Sequence, residues 1–336
     1  MKTVFSLITI VILLASCSTI EEPQNTGPND PQNEQKEEFS TTKIKDFPFE
    51  GRTGAFSFTL GGKIYMGTGF GSNSTYFGDF WEYNPNTDSW TEKASFPIGP
   101  FIGGNTFVYQ GKGYVIAGTT LKCQLNTPCT YTYHSAIHAY DPITNSWEKI
   151  GELPQFKGNN SGPSITVEGN KAILFWDYQS FEIDLQDYQI TQKSNAPGSL
   201  IYSASFKIGN KIYVSCPMIS GKGTKAVFSY DISTGNWETL PDFPGIKRYL
   251  AQGFSYNGHG YLIGGKESDV YGEDKQFKEI WRFDPANQSW KMIGTYPGAA
   301  YTGQVLQVIG SDVFVGFGDT RSFVSFEKDW WKLKFN

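Results

Sequence analysis

Apolar and polar residues alternate in short runs along most of the chain, and each run stops at a turn. Residues Phe56 to Leu60 alternate in this way, end at Gly61-Gly62, and are followed by a second apolar run. An alternation with a period of two predicts a half-buried strand, and paired glycines predict a tight turn. We find no apolar spacing typical of a helix after the N-terminal leader. The pattern therefore predicts an all-β chain of many short strands.

A polar and aromatic segment recurs in one register. Its first copy starts at Tyr83-Asn84, reaches Trp90 six residues after the Asn, and closes at Pro97 seven residues later. Three further copies keep this spacing: Tyr140-Asp141 with Trp147 and Pro154, Tyr230-Asp231 with Trp237 and Pro244, and Phe283-Asp284 with Trp290 and Pro297. A worn copy, from Ile183-Asp184 to Pro197, carries Ile190 in the Trp position. Self-similarity at a fixed spacing predicts a repeat architecture.

The repeated unit resembles a known family. Its period of about 50 residues, its Tyr-Asp-Pro…Trp pattern and the Gly264-Gly265 pair after an apolar strand resemble kelch repeats. The resemblance extends over residues 40–336 and implies a six-bladed kelch-type β-propeller with four-stranded antiparallel blades. In the second unit the strands are predicted at about 103–109, 113–117, 137–140 and 146–151. The recurring tryptophans are expected to pack in the core or between blades.

The two ends of the chain complement each other. Residues Trp331 to Asn336 match a third strand of a unit and bring no fourth strand. Residues Ser40 to Pro48 match a fourth strand with its closing proline. We therefore expect the N-terminal segment to pair into the sixth blade, which closes the ring and removes an exposed sheet edge.

One face of such a propeller carries the longer loops, predicted at about 70–79, 118–136, 215–225 and 265–279. Crossovers between blades enter on that face, and in kelch proteins a crossover position rims the central opening. The resemblance therefore implies a set of ligand-binding residues there: Arg52, Phe101, Asn160, Tyr202, Arg248 and Tyr301. Arginines with aromatic neighbours suit an anionic glycan or an acidic peptide. The alternative is that each crossover arginine only caps loop carbonyls.

The N-terminus resembles that of a bacterial lipoprotein. An apolar run from Val4 to Leu14 is too short to span a membrane and is followed by Leu14-Ala15-Ser16-Cys17, which resembles a lipobox. The resemblance implies a signal peptide at 1–16, lipidation of Cys17, and attachment to the outer membrane. The protein would face either the periplasm or the cell surface. Residues 17–39 are rich in Glu, Gln, Asn and Pro and predict a disordered tether. An ordinary secretory signal is the alternative.

Composition limits the classes of molecule that this chain is expected to bind. The chain has 336 residues, a net charge of −5, 18% charged residues and 16% aromatic residues. Mild acidity argues against a nucleic-acid partner, which needs a basic surface. The expected partners are the anionic glycan or acidic peptide above, or a neighbouring envelope protein, with membrane contact only through the lipid.

Cysteine and histidine residues raise the question of a metal. Cys123, Cys129, His134 and His138 have a zinc-like spacing, but an oxidising compartment favours a Cys123–Cys129 disulfide. His138 aligns with Trp81 and Trp281, which predicts a packing role. Some kelch propellers, the galactose oxidase-like ones, hold copper between two His and several Tyr. The three histidines of this chain are predicted in different places, so we expect neither a metal nor a cofactor.

Two functions fit this sequence. One is a binding module for a glycan, a peptide or a partner protein. The other is an enzyme resembling the six-bladed sialic-acid (N-acetylneuraminate) mutarotases, with Arg52 and Arg248 holding a sugar carboxylate and an acid from Glu267, Asp269 or Glu273 moving a proton. No motif spaces these acids, so no catalytic residue is identified, and binding is favoured because a fold alone does not carry a function.

Overall fold

The structure, a computed structural model, describes residues 39–122, 130–154, 156, 165–268, 274–299, 302–320 and 325–336. The chain divides into two units, Met1–Lys36 and Glu37–Asn336, and every described residue belongs to the second. Several predicted features lie outside the described residues: the signal peptide, Cys17, most of the tether, Cys123, Cys129, Asn160 and Tyr301. Within the described part, no helix is long and apolar enough to cross a membrane.

Six antiparallel sheets of four strands form the blades of a β-propeller, as the sequence predicts. We name the strands A to D in each blade, with A at the centre of the ring. Strands A to D of blade 1 are Phe56–Leu60, Lys63–Gly67, Phe80–Asn84 and Ser89–Lys93. Those of blade 2 are Asn105–Tyr109, Lys112–Lys122, Thr130–Asp141 and Ser146–Glu152. Those of blade 3 are Thr166–Glu168, Lys171–Trp176, Gln179–Asp184 and Ile190–Gln192.

Strands A to D of blade 4 are Ala204–Ile208, Lys211–Ser215, Val227–Asp231 and Trp237–Leu240. Those of blade 5 are Tyr249–Tyr256, His259–Ser268, Glu279–Asp284 and Ser289–Thr295. Those of blade 6 are Val305–Ile309, Asp312–Gly316, Trp330–Phe335 and Phe39–Ile44. Asp274–Gln276 pairs with strand B of blade 5 as an extra strand. Two short strand pairs lie outside the six sheets: Arg52–Thr53 with Phe70–Gly71, and Met218–Ile219 with Lys222–Gly223. A 3-10 turn covers Ser72–Ser74.

The N-terminal strand closes the ring, which confirms the prediction from the two chain ends. Phe39–Ile44 pairs antiparallel with Trp330–Phe335, from Phe39 opposite Phe335 to Ile44 opposite Trp330. The Phe39 and Phe335 rings lie 5.4 Å apart, and both side chains are buried. The edge of strand C in blade 6 is thereby covered.

The recurring Tyr and Trp residues join neighbouring blades. Tyr83 donates a hydrogen bond to Asp88 Oδ1, which also accepts the backbone N–H of Lys45 in the connection that follows the closing strand. Trp90 Nε1 donates to the Lys45 carbonyl. Blade 2 repeats these contacts onto blade 1: Tyr140 and the Ala94 N–H donate to Asn145, and Trp147 donates to the Ala94 carbonyl. The repeated segment is therefore an inter-blade fastening, as expected for a packing role.

The extents of two predicted loops were wrong. Most of the segment predicted as a loop at 118–136 is a hairpin, because strands B and C of blade 2 extend to Lys122 and from Thr130. Threonine and tyrosine alternate in this hairpin, and both residue types favour extended backbone. Strand B of blade 5 likewise extends to Ser268. His134 therefore lies in a strand rather than in a loop.

Candidate functional site

The inner strands surround a central channel, whose mouth lies where the crossovers enter the ring. A hollow of about 230 Å³ at this mouth is lined by residues from blades 1, 2, 4, 5 and 6. Its polar lining consists of hydroxyl and amide side chains, among them Asn105, Thr106, Ser205, Gln252, Gln304 and Gln307. None of the described residues that line it carries a charge. These residues can therefore offer a ligand many hydrogen bonds but no ion pair.

Hydrogen bonds between blades fix the lining. Thr106 Oγ1 donates to the Ser57 carbonyl at 2.7 Å, which links blades 2 and 1. Gln307 Nε2 of blade 6 donates to Ser57 Oγ at 2.9 Å, while Gln307 Oε1 accepts from Thr59 at 2.9 Å. Polar side chains that are already oriented lose little conformational entropy when a ligand binds.

Each described crossover enters its inner strand through a residue with left-handed backbone. In blades 1, 2 and 6 this residue is Gly54, Gly103 or Gly303; a Cβ at Gly303 would lie 2.0 Å from Thr53 Oγ1. Blades 4 and 5 carry Tyr202, with a φ of 56°, and Leu250, with a φ of 58°. Both line the channel mouth, and the Leu250 N–H donates to the Tyr202 carbonyl at 2.7 Å. Large side chains rarely adopt this backbone, and such strain clusters at functional sites.

Arg52 is fully buried and paired rather than open to the channel. Its guanidinium donates to both carboxylate oxygens of Asp79, at 2.6 and 2.9 Å, and to the Thr68 carbonyl at 3.0 Å. The guanidinium carbon lies 4.0 Å from the centre of the Phe77 ring and 4.8 Å from that of Phe47. Trp81 Nε1 donates to the same carboxylate at 2.8 Å.

Arg248 repeats this arrangement in blade 5. It is fully buried and donates to Glu279 at 2.5 Å, and Trp281 donates to the same carboxylate at 3.1 Å. The Phe277 and Phe243 rings flank the guanidinium at 4.0 and 5.0 Å. Burial alone would raise the pKa of Glu279, but the hydrogen bonds from Arg248 and Trp281 outweigh it and hold the pKa below its ordinary value.

The expectation that both guanidiniums face the central opening was wrong, since neither arginine lines the mouth and each is held by an acid on strand C or at its start. Phe101, the counterpart in blade 2, is also fully buried and packs on Phe56 and Phe96. Among the described residues that the sequence predicted as ligand-binding, only Tyr202 lines the mouth. Whether the arginines contact a ligand stays a prediction. A sequence signal was present but missed: an acid two residues before the Trp, as in Asp79 and Trp81.

Comparison with known proteins follows from this fold. A profile described as the kelch motif matches residues 51–97. The chain is a kelch-repeat β-propeller. It is 28% identical to the kelch-like protein terF of Aspergillus terreus over 72% of this chain and 44% of that protein, and 23% identical to kelch-like protein 25 of Xenopus tropicalis over 71% and 40%. The propeller thus spans less than half the length of these two relatives.

A bacterial relative covers more of its own length. The kelch propeller is 24% identical to the N-acetylneuraminate epimerase of Escherichia coli (strain K12), over 67% of this chain and 76% of that protein. A solved structure titled "Structure of YjhT" matches with a TM-score of 0.69 at 16% identity, over 85% of this chain and 96% of that one. At that identity the structural match shows the fold alone.

The other described residues that the sequence singled out in the kelch propeller do not line the channel mouth. His138 is buried and its ring lies 5.3 Å from Phe96, as expected for a packing position. His259 starts strand B of blade 5, next to a turn. Glu267 pairs with Lys247 at 3.4 Å, while Asp269 and Glu273 lie outside the described residues. Among the residues that the structure describes, no group of three or more His, Cys, Asp or Glu could hold a metal ion.

Proposed function

We propose that this propeller is a glycan-binding module of the bacterial cell envelope that takes its ligand at the channel mouth. The observation that carries the proposal is the uncharged hydroxyl and amide lining of the 230 Å³ hollow. Sugar hydroxyls donate and accept hydrogen bonds at once, and so do amides and hydroxyl side chains. Tyr202 adds an aromatic face at the edge of this lining.

The proposed location rests on the N-terminal sequence. Lipidated Cys17 would anchor the protein in the outer membrane, and residues 18–38 would act as a tether about 25 Å long. A Cys17→Ala variant is expected to leave the membrane fraction and to lose acyl labelling. Wild-type protein that fractionates as soluble and carries no lipid would contradict the anchor without touching the ligand proposal.

Acidic and neutral ligands can be separated experimentally. The lining favours recognition of hydroxyl groups. An anionic glycan, an acidic peptide or an acidic envelope protein would need a cationic side chain, and none of the described lining residues supplies one. The two buried arginines could supply it only if a ligand displaced Asp79 or Glu279. Binding should therefore depend little on salt if hydroxyl groups dominate, and strongly if charge does.

The test is calorimetric titration of the soluble domain with a panel of neutral oligosaccharides, uronic and sialic acid glycans, and acidic peptides. Tyr202→Gly and Gln252→Ala remove side chains from the mouth, and glycine suits the backbone at position 202. We expect each variant to bind at least about tenfold more weakly, which corresponds to about 1.4 kcal/mol. Tyr178→Ala, on an exposed tyrosine of blade 3, is the matched control. Equal affinity for wild type and both mouth variants would contradict the proposal.

A mutarotase acting on N-acetylneuraminate is the second candidate, favoured by the similarity to the E. coli epimerase over 76% of its length. Proton NMR of N-acetylneuraminate anomers, with and without the protein, tests it. Faster anomer exchange in the presence of the wild-type protein would favour the enzyme. Exchange at the uncatalysed rate would rule it out.

A further inference from the structure

Blade 2 contains a hollow at a place where three of its side chains are smaller than their counterparts in blade 1. Equivalent positions in the repeat register hold Phe49, Asp79 and Trp81 in blade 1 and Ile98, Ala136 and His138 in blade 2. In blade 1 the Phe49 and Trp81 rings lie 4.7 Å apart, and Trp81 bonds to Asp79. The three smaller side chains of blade 2 instead line a hollow of about 450 Å³.

The rest of the lining of this hollow is polar and nearly neutral. Lys149 and Glu152 line it and form an ion pair with each other. His134 Nε2 lies 3.0 Å from Thr120 Oγ1. Burial holds the pKa values of His134 and His138 below the ordinary histidine value, so both imidazoles are neutral at physiological pH.

A pair of tyrosines forms a ledge beside the hollow. Tyr131 and Tyr133 project from the same side of strand C, with ring centres 6.5 Å apart and ring planes 20° from parallel. Each side chain is 56% exposed, and Tyr133 also lines the hollow. The pKa of Tyr76 in blade 1 is raised, mainly by burial of its side chain and to a smaller extent by the nearby Tyr131. Tyr76 lies in the connection between strands B and C of blade 1.

We infer that the Tyr131–Tyr133 ledge and the adjoining hollow form a second glycan-binding site, which takes two neighbouring pyranose units of a neutral polysaccharide. This site is separate from the channel mouth and does not depend on whether the mouth binds a ligand.

The chemistry of the lining selects this ligand. Two nearly parallel exposed rings offer apolar faces to the C–H faces of successive sugar rings, and their hydroxyl groups stay in water. An ammonium and a carboxylate side by side donate to and accept from neighbouring sugar hydroxyls. An anionic ligand is disfavoured because Glu152 offsets the charge of Lys149 and both imidazoles are neutral. An apolar peptide would leave the Lys149–Glu152 pair without hydrogen-bond partners on its side.

Electrophoresis of the native domain through gels that contain a soluble β-glucan, a xylan or a mannan tests this site. We expect at least one polysaccharide to retard the wild type. The double variant Tyr131→Ala/Tyr133→Ala should bind at least about fivefold more weakly, because stacking is lost. His138→Trp installs the residue of blades 1 and 5, fills the hollow, and should weaken binding similarly. Tyr178→Ala should migrate like the wild type, since that exposed tyrosine lies on blade 3.

The outcomes separate the two proposed sites. Retardation that Tyr202→Gly abolishes and Tyr131→Ala/Tyr133→Ala leaves unchanged would place all binding at the channel mouth and overturn the second site. The reverse result would support the second site and count against the mouth. No retardation by any of the three polysaccharides would also overturn it. The two tyrosines are exposed, so their removal should not change the melting temperature. An unchanged melting temperature is therefore the check that the variant is folded.

Discussion

Arg52 and Asp79 form a bidentate ion pair inside blade 1, with hydrogen bonds of 2.6 and 2.9 Å. Arg52 comes from the crossover and Asp79 from the residue before strand C, so the pair ties the entry of the chain into the blade to its third strand. Arg248 and Glu279 do the same in blade 5. Arginine suits this task because its planar fork matches a carboxylate and stays charged when buried.

Removing one member of such a pair should destabilise the fold strongly. Arg248→Ala leaves the partly buried Glu279 without its cation, and we expect the free energy of unfolding to fall by about 3 kcal/mol. The double variant Arg248→Ala/Glu279→Ala should lose much less than the sum of the two single losses. Urea unfolding of the four proteins measures this coupling. Additive effects would show that the pair contributes no interaction of its own.

Acid should weaken the fold through the same glutamate. The pKa of Glu279 in the folded protein is below the ordinary value of 4.5. Its stabilising contribution is therefore complete above that value and disappears as the pH falls through the lower, folded pKa. Urea unfolding from about pH 6 to about pH 3 should show decreasing stability. Glu279→Gln should be less stable at the higher pH and should show a shallower decrease; an unchanged slope would contradict the assignment.

Ring closure predicts a sharp difference between two truncations. Deleting residues 2–36 leaves the closing strand, whereas deleting residues 2–48 removes it together with the buried Phe39 and Phe47. Loss of each buried phenylalanine costs about 3 kcal/mol or more, so the longer deletion should lower the melting temperature by at least about 10 °C. Its exposed edge should also promote aggregation, visible by size-exclusion chromatography. Equal melting temperatures would contradict closure.

Thiol labelling checks the cysteine predictions. Cys216 is fully buried, and burial raises the pKa of its thiol to about 12, so it should not react in the folded protein. After denaturation without a reductant, a domain that lacks Cys17 should gain one label, at Cys216, because Cys123 and Cys129 are expected to be joined. Three labels would exclude the disulfide, and stoichiometric zinc in purified protein would favour a metal site.

The blades could be predicted from sequence because their signals are local and repeated. Trp90 reappears in register as Trp147, Trp237 and Trp290. Trp147 and Asn145 of blade 2 repeat the contacts that Trp90 and Asp88 make in blade 1. Closure could also be predicted, since the chain ends supply complementary strands. The bounds of the blade 2 hairpin were missed, although Thr and Tyr favour extended backbone, because the hairpin lies outside the repeated Tyr-to-Pro segment.

The candidate site was less predictable. Arg52 and Arg248 stand out in the sequence, but their partners Asp79 and Glu279 lie 27 and 31 residues further along the chain. The side-chain direction at a crossover depends on tertiary packing rather than on residue type. Tyr202 lines the mouth and has a left-handed backbone, a conformation that no local sequence pattern predicts. The hollow of blade 2 arises from three side chains that are smaller than their counterparts, and it is visible only when blades are superimposed in register.

Hydrogen exchange measured by mass spectrometry, with and without a bound oligosaccharide, tests glycan binding at the channel mouth most directly. We predict slower exchange in the peptides that line the mouth, covering 54–57, 103–106, 202–205, 250–253 and 303–307. Peptides from the opposite ends of the inner strands, at the turns near 61–62 and 257–258, should be unaffected. Protection at those turns, or saturating binding without protection at the mouth, would contradict the account.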